Sequence, residues 1–273
     1  MENEPLRLSY SKINCFQRCR KQYHWIYNEN LIPIKKSFPM QVGLVIHDLL
    51  DKYYGNTLQV KDIEQLRETI QRLYPENEQE LSDEVAWEAA RLFQGYLQYA
   101  QDDPLDILMP ETVMEVDIGN DIVLYTRLDA VGRSDNRLWR VEHKTTARMD
   151  SRYLQGLRKG LQTGIAHWVM EKVLDEPVMG TQFNIIVKTK VPQYSRMPVP
   201  KQPWAQNYTQ ECVYGVARSI RRNDFYPSMK CDDFNNCDYQ ILCTSDTEAN
   251  RKAFFKRREE VVDVKIPTEI LDE

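Results

Sequence analysis

The stretch from Ile122 to Thr146 constrains this chain more than any other. Two apolar, strand-like runs, Ile122–Gly132 and Leu138–Thr146, flank the turn Arg133-Ser-Asp-Asn-Arg137. Asn and Asp in that turn suit a hairpin bend. Residues two apart in a strand point to the same face. Glu142 and Lys144 therefore share a face, and the paired strand brings the Asp129 carboxylate beside them. Two hard oxygen ligands on rigid backbone, with positions left open for water and phosphate, suit Mg2+ or Mn2+. Upstream, Gly43-Leu-Val-Ile-His47 carries a histidine one turn after a glycine on a predicted helix.

The surrounding pattern predicts an α/β core. Helices are expected over Ser11–Asn28, through His47, over Lys61–Leu73 and over Leu81–Gln101. In the last of these, Trp87, Ala90, Phe93, Leu97 and Ala100 recur at helical spacing. Strands near Thr112–Ile118, Ile122–Gly132 and Leu138–Thr146 precede a helix over Ser151–Leu174 and a strand over Thr181–Lys188. Pro192, Pro198, Pro200 and Pro203 then mark a loop, followed by a helix over Gln206–Asn223, a cysteine segment and a charged C-terminal helix. A chain of 273 residues fits one large domain. Its expected parts are a helical region over 1–110, a catalytic α/β core over 111–190, and a loop, helix and cysteine segment over 191–273. No internal repeat and no phosphate-cradling Walker loop are present, so any motor belongs to another polypeptide.

With those residues in place, the chain resembles the PD-(D/E)XK nuclease superfamily in its RecB-like branch, over most of its length. Gly43-x-x-x-His47 looks like the branch's helical histidine motif, and Leu128-Asp129-Ala130-Val131 like its metal-binding aspartate strand. Glu142-x-Lys144 followed by Thr145 and Thr146 looks like its catalytic strand, and Gln162 falls where the branch has Gln-x-x-x-Tyr. Here the fourth residue after Gln162 is Ala166, so the tyrosine is absent. The resemblance implies a restriction-endonuclease-like core, a mixed central sheet flanked by helices. It implies that His47, Asp129, Glu142 and the His143 backbone carbonyl hold Mg2+ or Mn2+. Lys144 would be the catalytic lysine, Gln162 would position the strand, and Glu115 would assist from behind. The reaction expected is hydrolysis of DNA phosphodiesters, with exonuclease action on single strands or duplex ends favoured over endonuclease action.

Six cysteines add a second signal: Cys15, Cys19, Cys212, Cys231, Cys237 and Cys243. The polar, charged start predicts no signal peptide, and no apolar run approaches membrane-span length. A reducing cytoplasm is the expected compartment, for a prokaryotic or phage-encoded protein, and structural disulfides are not expected there. Cys231, Cys237 and Cys243 form C-x5-C-x5-C among Asp232, Asp233, Asn235 and Asn236, which are poor core neighbours. Cys19 is the expected fourth ligand, with Cys15 one turn away as its substitute, and Cys212 is expected in the core. Soft thiolates select zinc or an iron–sulfur cluster. One N-terminal and three C-terminal cysteines resemble the four-cysteine clusters of CRISPR-associated RecB-like exonucleases and of AddB, which implies [4Fe–4S] with zinc as the alternative.

The net charge of −5 does not advertise a nucleic-acid partner, but its distribution does. Residues 75–106 hold nine acids and one base, whereas Arg133–Lys159 holds eight Lys/Arg and three acids. A basic strip beside a metal site suits a phosphate backbone, and Arg148, Arg152 and Arg158 are the expected DNA contacts. In the N-terminal segment, Phe16, Tyr23 and Tyr27 fit a packed helix face, and Arg18, Arg20 and Lys21 alternate with them. A helicase or recombination protein is an expected partner. Two other readings compete: a catalytically degenerate DNA-binding or assembly subunit of a repair complex, and a zinc-stapled protein acting on RNA.

Overall fold

The computed structural model describes residues 4–34, 38–58, 62–73, 82–102, 105–228 and 237–258. From the N-terminus come β1 (Leu6–Leu8), α1 (Tyr10–Arg18), α2 (Arg20–Tyr23), a π-helical turn (His24–Asn28), β2 (Leu31–Pro33) and α3 (Phe38–Tyr54). Next are α4 (Ile63–Leu73), α5 (Asp83–Tyr99), β3 (Asp106–Met109), β4 (Thr112–Asp117), β5 (Ile122–Leu128), β6 (Ala130–Ser134) and β7 (Arg137–Thr146). The rest are α6 (Ser151–Arg158), α7 (Leu161–Leu174), β8 (Val178–Val187), β9 (Gln193–Pro200), α8 (Ala205–Arg221), α9 (Gln240–Thr244), α10 (Glu248–Phe254) and β10 (Phe255–Arg257). The mixed α/β class expected from the sequence is the one observed. The chain divides into two compact units, one of Met1–Lys36, Glu115–Thr126 and Gln206–Glu273, the other of Ser37–Met114 and Arg127–Ala205.

The second unit is built on a five-stranded sheet of order β3-β6-β7-β8-β9. Its pairs are antiparallel except β7 with β8, which run parallel through the crossover made by α6 and α7. A parallel pair needs such a helical crossover because no tight turn can join its strands. Beside the sheet, α3 buries Val42, Val45, Ile46, Leu49 and Leu50, and these join Val85, Ala86, Ala89, Ala90, Phe93 and Tyr96 of α5 in one apolar cluster. Ser82 starts α5 by accepting a hydrogen bond from the Val85 N–H at 3.4 Å.

Several elements differ from expectation. The run Ile122–Gly132 is two strands in two sheets, because the chain breaks at Asp129 between β5 and β6. The helix expected over Ser151–Leu174 stops at Lys159 and restarts with Gly160 as the cap of α7. The proline-rich loop contains the edge strand β9. Pro198 and Pro200 are two apart, so both missing N–H groups fall on one side of an edge strand, where proline is tolerated. The other edge, β3, carries little pattern in its four residues and was not expected.

In the first unit the helix expected over Ser11–Asn28 is interrupted at Cys19, whose backbone is extended (φ −156°, ψ 112°). The Cys19 Sγ accepts from the Gln22 N–H at 3.4 Å and so caps α2. Late in the chain, β10 pairs antiparallel with β2, and Phe255, Tyr239 and Leu242 pack with Trp25 and Leu31. Residues more than two hundred positions apart are thereby joined by apolar contact. The Tyr239 hydroxyl donates to the Leu31 carbonyl at 2.8 Å, and Arg251 pairs with Glu29 at 2.5 Å.

Candidate active site

The site forms on β7, the middle strand of the five. Alternation puts Arg140, Glu142 and Lys144 on one face and Val141, His143 and Thr145 on the other. The register of β6 against β7 pairs Ala130 with Val141, so Asp129, one residue earlier, comes level with Glu142. The break at Asp129 frees its side chain from strand alternation. One carboxylate oxygen accepts from the His143 backbone N–H at 2.7 Å, and the other lies 3.4 Å from His47 Nδ1. Burial alone would raise the Asp129 pKa, but the hydrogen bond and charge of His47 outweigh it, with help from His143, and hold it well below the usual carboxylate range. His47 arrives on α3, which runs close to β7 at Gly43: a Cβ there would sit 3.3 Å from Thr145 Oγ1.

Glu142 is almost fully buried and three donors converge on it. Arg140 Nη2 donates to Oε2, and Lys144 Nζ donates to Oε1. Gln162 Nε2 also donates to Glu142 Oε1, at 2.8 Å, while the Gln162 side-chain oxygen Oε1 accepts from Lys144 Nζ at 3.1 Å. Gln162 reaches this position because the crossover helix restarts at Gly160, leaving Gln162 in the first turn of α7. Four residues on, Ala166 is completely buried, so the position holds a small packing residue where the resembled pattern has tyrosine. Burial pushes the Lys144 pKa down to about 8, and the charge of Arg140 adds to that while Asp129 opposes it.

Several contributors were not singled out from the sequence. Arg140 is fully buried behind Glu142. The His143 imidazole stacks on Tyr54 (5.6 Å, 9°) and accepts at Nδ1 from the Asn184 side-chain amide at 3.1 Å. Asn184 in turn donates to the Tyr96 hydroxyl at 3.0 Å and accepts from Arg196 Nε at 2.8 Å. This buried network fixes the back of β7. Burial pushes the His143 pKa down to about 4, so its ring stays neutral at ordinary pH. Glu111, between β3 and β4, is electrostatically joined to the site. Its pKa is raised by burial first, and Asp51 and Asp129 raise it further against the opposing charges of Arg127 and His47. The only sequence signal for Glu111 is its place just before the hairpin. Glu115, expected to assist from behind, belongs to the first unit and pairs with Arg7 at 2.6 Å.

The donor chemistry suits a hard divalent cation: Asp129 and Glu142 supply oxygens, and the charges at Asp129, Asp51 and Glu111 oppose one another, which a cation would relieve. The ligands are not assembled around a vacant centre, however. Among the described residues, no three His, Cys, Asp or Glu side chains are grouped to hold a metal ion.

The expected thiol set lies in the first unit, except for Cys231, which falls outside the described residues. Cys15 is buried, Cys19 and Cys237 are half-buried and Cys243 is exposed. Burial raises the Cys15 pKa to about 11, with Arg18 opposing and the neighbouring Cys19 and Cys237 adding to the rise. Cys212 is half-buried on α8 and hydrogen-bonds to Tyr208, so it is not the core residue expected. Arg148, Arg152 and Arg158 are all exposed, Arg148 lying 3.5 Å from Asp150.

The family profile of the PD-(D/E)XK nuclease superfamily matches residues 7–244. The chain belongs to that superfamily. The PD-(D/E)XK match spans both the break at Asp129 and the strand that carries Glu142-x-Lys144. Among solved structures, a "Putative exonuclease" from Eubacterium rectale superposes with a TM-score of 0.53 at 14% identity, covering 88% of this chain and 94% of that one. At that identity the likeness concerns the fold, and it agrees with the PD-(D/E)XK architecture. A second structure, SSO0001, matches with a TM-score of 0.35 at 16% identity over 77% of this chain and 97% of its own. No curated protein matches the sequence. Among the described residues, no helix is long and apolar enough to cross a membrane.

Proposed function

We propose that this PD-(D/E)XK chain is a metal-dependent deoxyribonuclease of the RecB-like branch, acting as an exonuclease on single strands or DNA ends. The observation that carries the reading is the meeting of Asp129, Glu142, Lys144, Gln162 and His47 around one end of β7. Asp129 and Glu142, with His47 and the His143 backbone carbonyl, would hold Mg2+ or Mn2+, which supplies Lewis-acid polarisation of the phosphate and a lowered pKa for water. Lys144 is held by Glu142 and Gln162, aimed along the same face. It would orient the attacking water or neutralise charge developing on the phosphate oxygens. A lysine pKa near 8 lets the group serve in either protonation state close to neutrality. Arg148, Arg152 and Arg158 would follow the DNA backbone.

The test is cleavage of end-labelled single- and double-stranded DNA by wild type, Lys144→Ala and Asp129→Ala, with and without Mn2+. Metal-dependent cleavage lost in both variants supports the reading, and wild-type-like cleavage by either one removes the assignment. A second reading, a DNA-binding subunit without catalysis, is favoured by one observation: both Glu142 oxygens are already occupied by protein donors. Binding of DNA with no cleavage under any metal would select it.

A four-cysteine centre extends the same reading. Cys15, Cys19 and Cys237 are electrostatically joined, but no three of the described side chains are grouped as metal ligands, so the centre rests on the resemblance, with Cys19 as the N-terminal ligand and Cys15 as its substitute. Iron and sulfide analysis of anaerobically purified protein distinguishes [4Fe–4S] from zinc. A metal-free, colourless protein would remove both.

A further inference from the structure

Arg140 has no structural excuse for its charge. Its side chain is fully buried in the middle of the sheet, and a well-packed apolar residue at such a position is commonly as stable or more so. Only its Nη2 finds an acceptor, Glu142, while Nε and Nη1 have none among the described residues. Unpaired buried donors are costly, so the gain must lie in what the guanidinium does to Glu142. With Lys144 on the other oxygen, one carboxylate is faced by two cations. A carboxylate offers about four lone-pair directions, and three donors already use them. A divalent ion approaching Glu142 meets a nearly saturated ligand and two like charges.

We propose that Arg140 is a positioning residue that acts as a built-in counter-cation. It keeps the Glu142 carboxylate aimed when no metal is present, and it weakens divalent-ion binding until a phosphate arrives. The inference rests on the metal-dependent reading above and adds an order to it. The negative charge of a bound phosphate offsets the repulsion from Arg140 and Lys144, so ion and phosphate bind together more tightly than either alone. Such coupling is reciprocal by thermodynamic necessity. It also keeps a free enzyme from carrying a fully loaded site.

The experiment is calorimetric titration of the full chain with Mn2+, alone and with thymidine 5′-monophosphate, a phosphate carrier with no phosphodiester to cleave. Wild type should bind Mn2+ weakly alone and at least about tenfold more tightly with the nucleotide. Arg140→Met should bind Mn2+ alone at least about tenfold more tightly than wild type and lose most of the nucleotide dependence, whereas Arg140→Lys should resemble wild type. Arg140→Gln, which can still hydrogen-bond Glu142, gives the same readout if the methionine variant does not fold. Equal Mn2+ affinity in wild type with and without nucleotide overturns the proposal without needing any variant. Unchanged affinity in Arg140→Met or Arg140→Gln, with binding still lost in Glu142→Gln, overturns the role of Arg140 and leaves the metal-dependent reading standing. Absence of Glu142-dependent Mn2+ binding under every condition overturns that reading as well.

Discussion

At the scale of single residues, Asp129 and Lys144 are expected to fail differently. If Asp129 holds the metal, loss of its carboxylate removes a hard ligand, so excess Mn2+ should restore part of the cleavage by Asp129→Ala. Loss of the Lys144 ammonium removes charge stabilisation worth roughly 3–4 kcal/mol by comparison with an oxyanion donor, and added metal should not restore it. Single-turnover cleavage across a Mn2+ series separates the two, and equal rescue of both variants would refute the division of labour. His167 gives a pH dependence away from the metal ligands. Burial, then the charges of Arg140 and Lys201, pushes its pKa down to about 3, and its Nε2 bonds the Thr181 hydroxyl at 2.9 Å. An unfolded histidine protonates near pH 6.5, so between these values the unfolded chain binds a proton that the native state refuses. Stability should therefore fall as pH drops from about 6.5 towards 3. His167→Gln keeps a partner for Thr181 and should flatten that decline. Urea midpoints at pH 7 and pH 4.5 check it, and an unchanged acid slope in the variant would count against the assignment.

At the scale of elements, the positioning of α3 depends on how closely it approaches β7. Gly43 leaves room for Thr145, and a larger side chain must push one element from the other. Gly43→Leu should destabilise by about 1–3 kcal/mol through overpacking and lower cleavage further by moving His47 from Asp129. A gain in stability from the better helix propensity of leucine would show that the contact is slack. The exposed arginines on and just before α6 supply the test of DNA placement. If Arg148, Arg152 and Arg158 contact phosphates, each one removed should flatten the log–log salt dependence of binding by about 0.9 on duplex or 0.7 on single strands. A slope unchanged in the triple variant would put the backbone elsewhere.

At the scale of the whole molecule, the distant ends of the described chain are held together by packing. Phe255 is buried against Tyr239, with ring centroids 5.0 Å apart, in the cluster with Trp25 and Leu31. Phe255→Ala should cost roughly 3–5 kcal/mol, a large share of the 5–15 kcal/mol typical of a domain. Faster proteolysis near α10 should accompany the fall in urea midpoint. Removal of any thiol-bound metal should not by itself separate β10 from β2, because the apolar cluster and the strand pairing remain. If metal removal released α10 as fully as Phe255→Ala, the thiols rather than the apolar cluster would be the dominant tie.

Local chemistry made the strand of the candidate site legible. Residues Glu142 and Lys144 are two apart on a strand, so their shared face follows from backbone geometry alone, and the hairpin turn set Asp129 level with them. The helical spacing of α5 and the His47 helix were readable for the same reason, since periodicity reports which side an element buries. Breaks were harder. Nothing in the local pattern separates one long helix from α6 and α7, yet the restart at Gly160 is what delivers Gln162 to Glu142. Cys19 reads as a helical residue until its sulfur is seen capping α2. Strand β9 was hidden because proline is excluded from sheets except at an edge, and edges are assigned only when the sheet assembles. Arg140 shows the limit most clearly. By sequence it belongs to a basic strip facing solvent, and only tertiary packing buries it against Glu142, where its charge bears on the site's carboxylates instead of on a phosphate backbone.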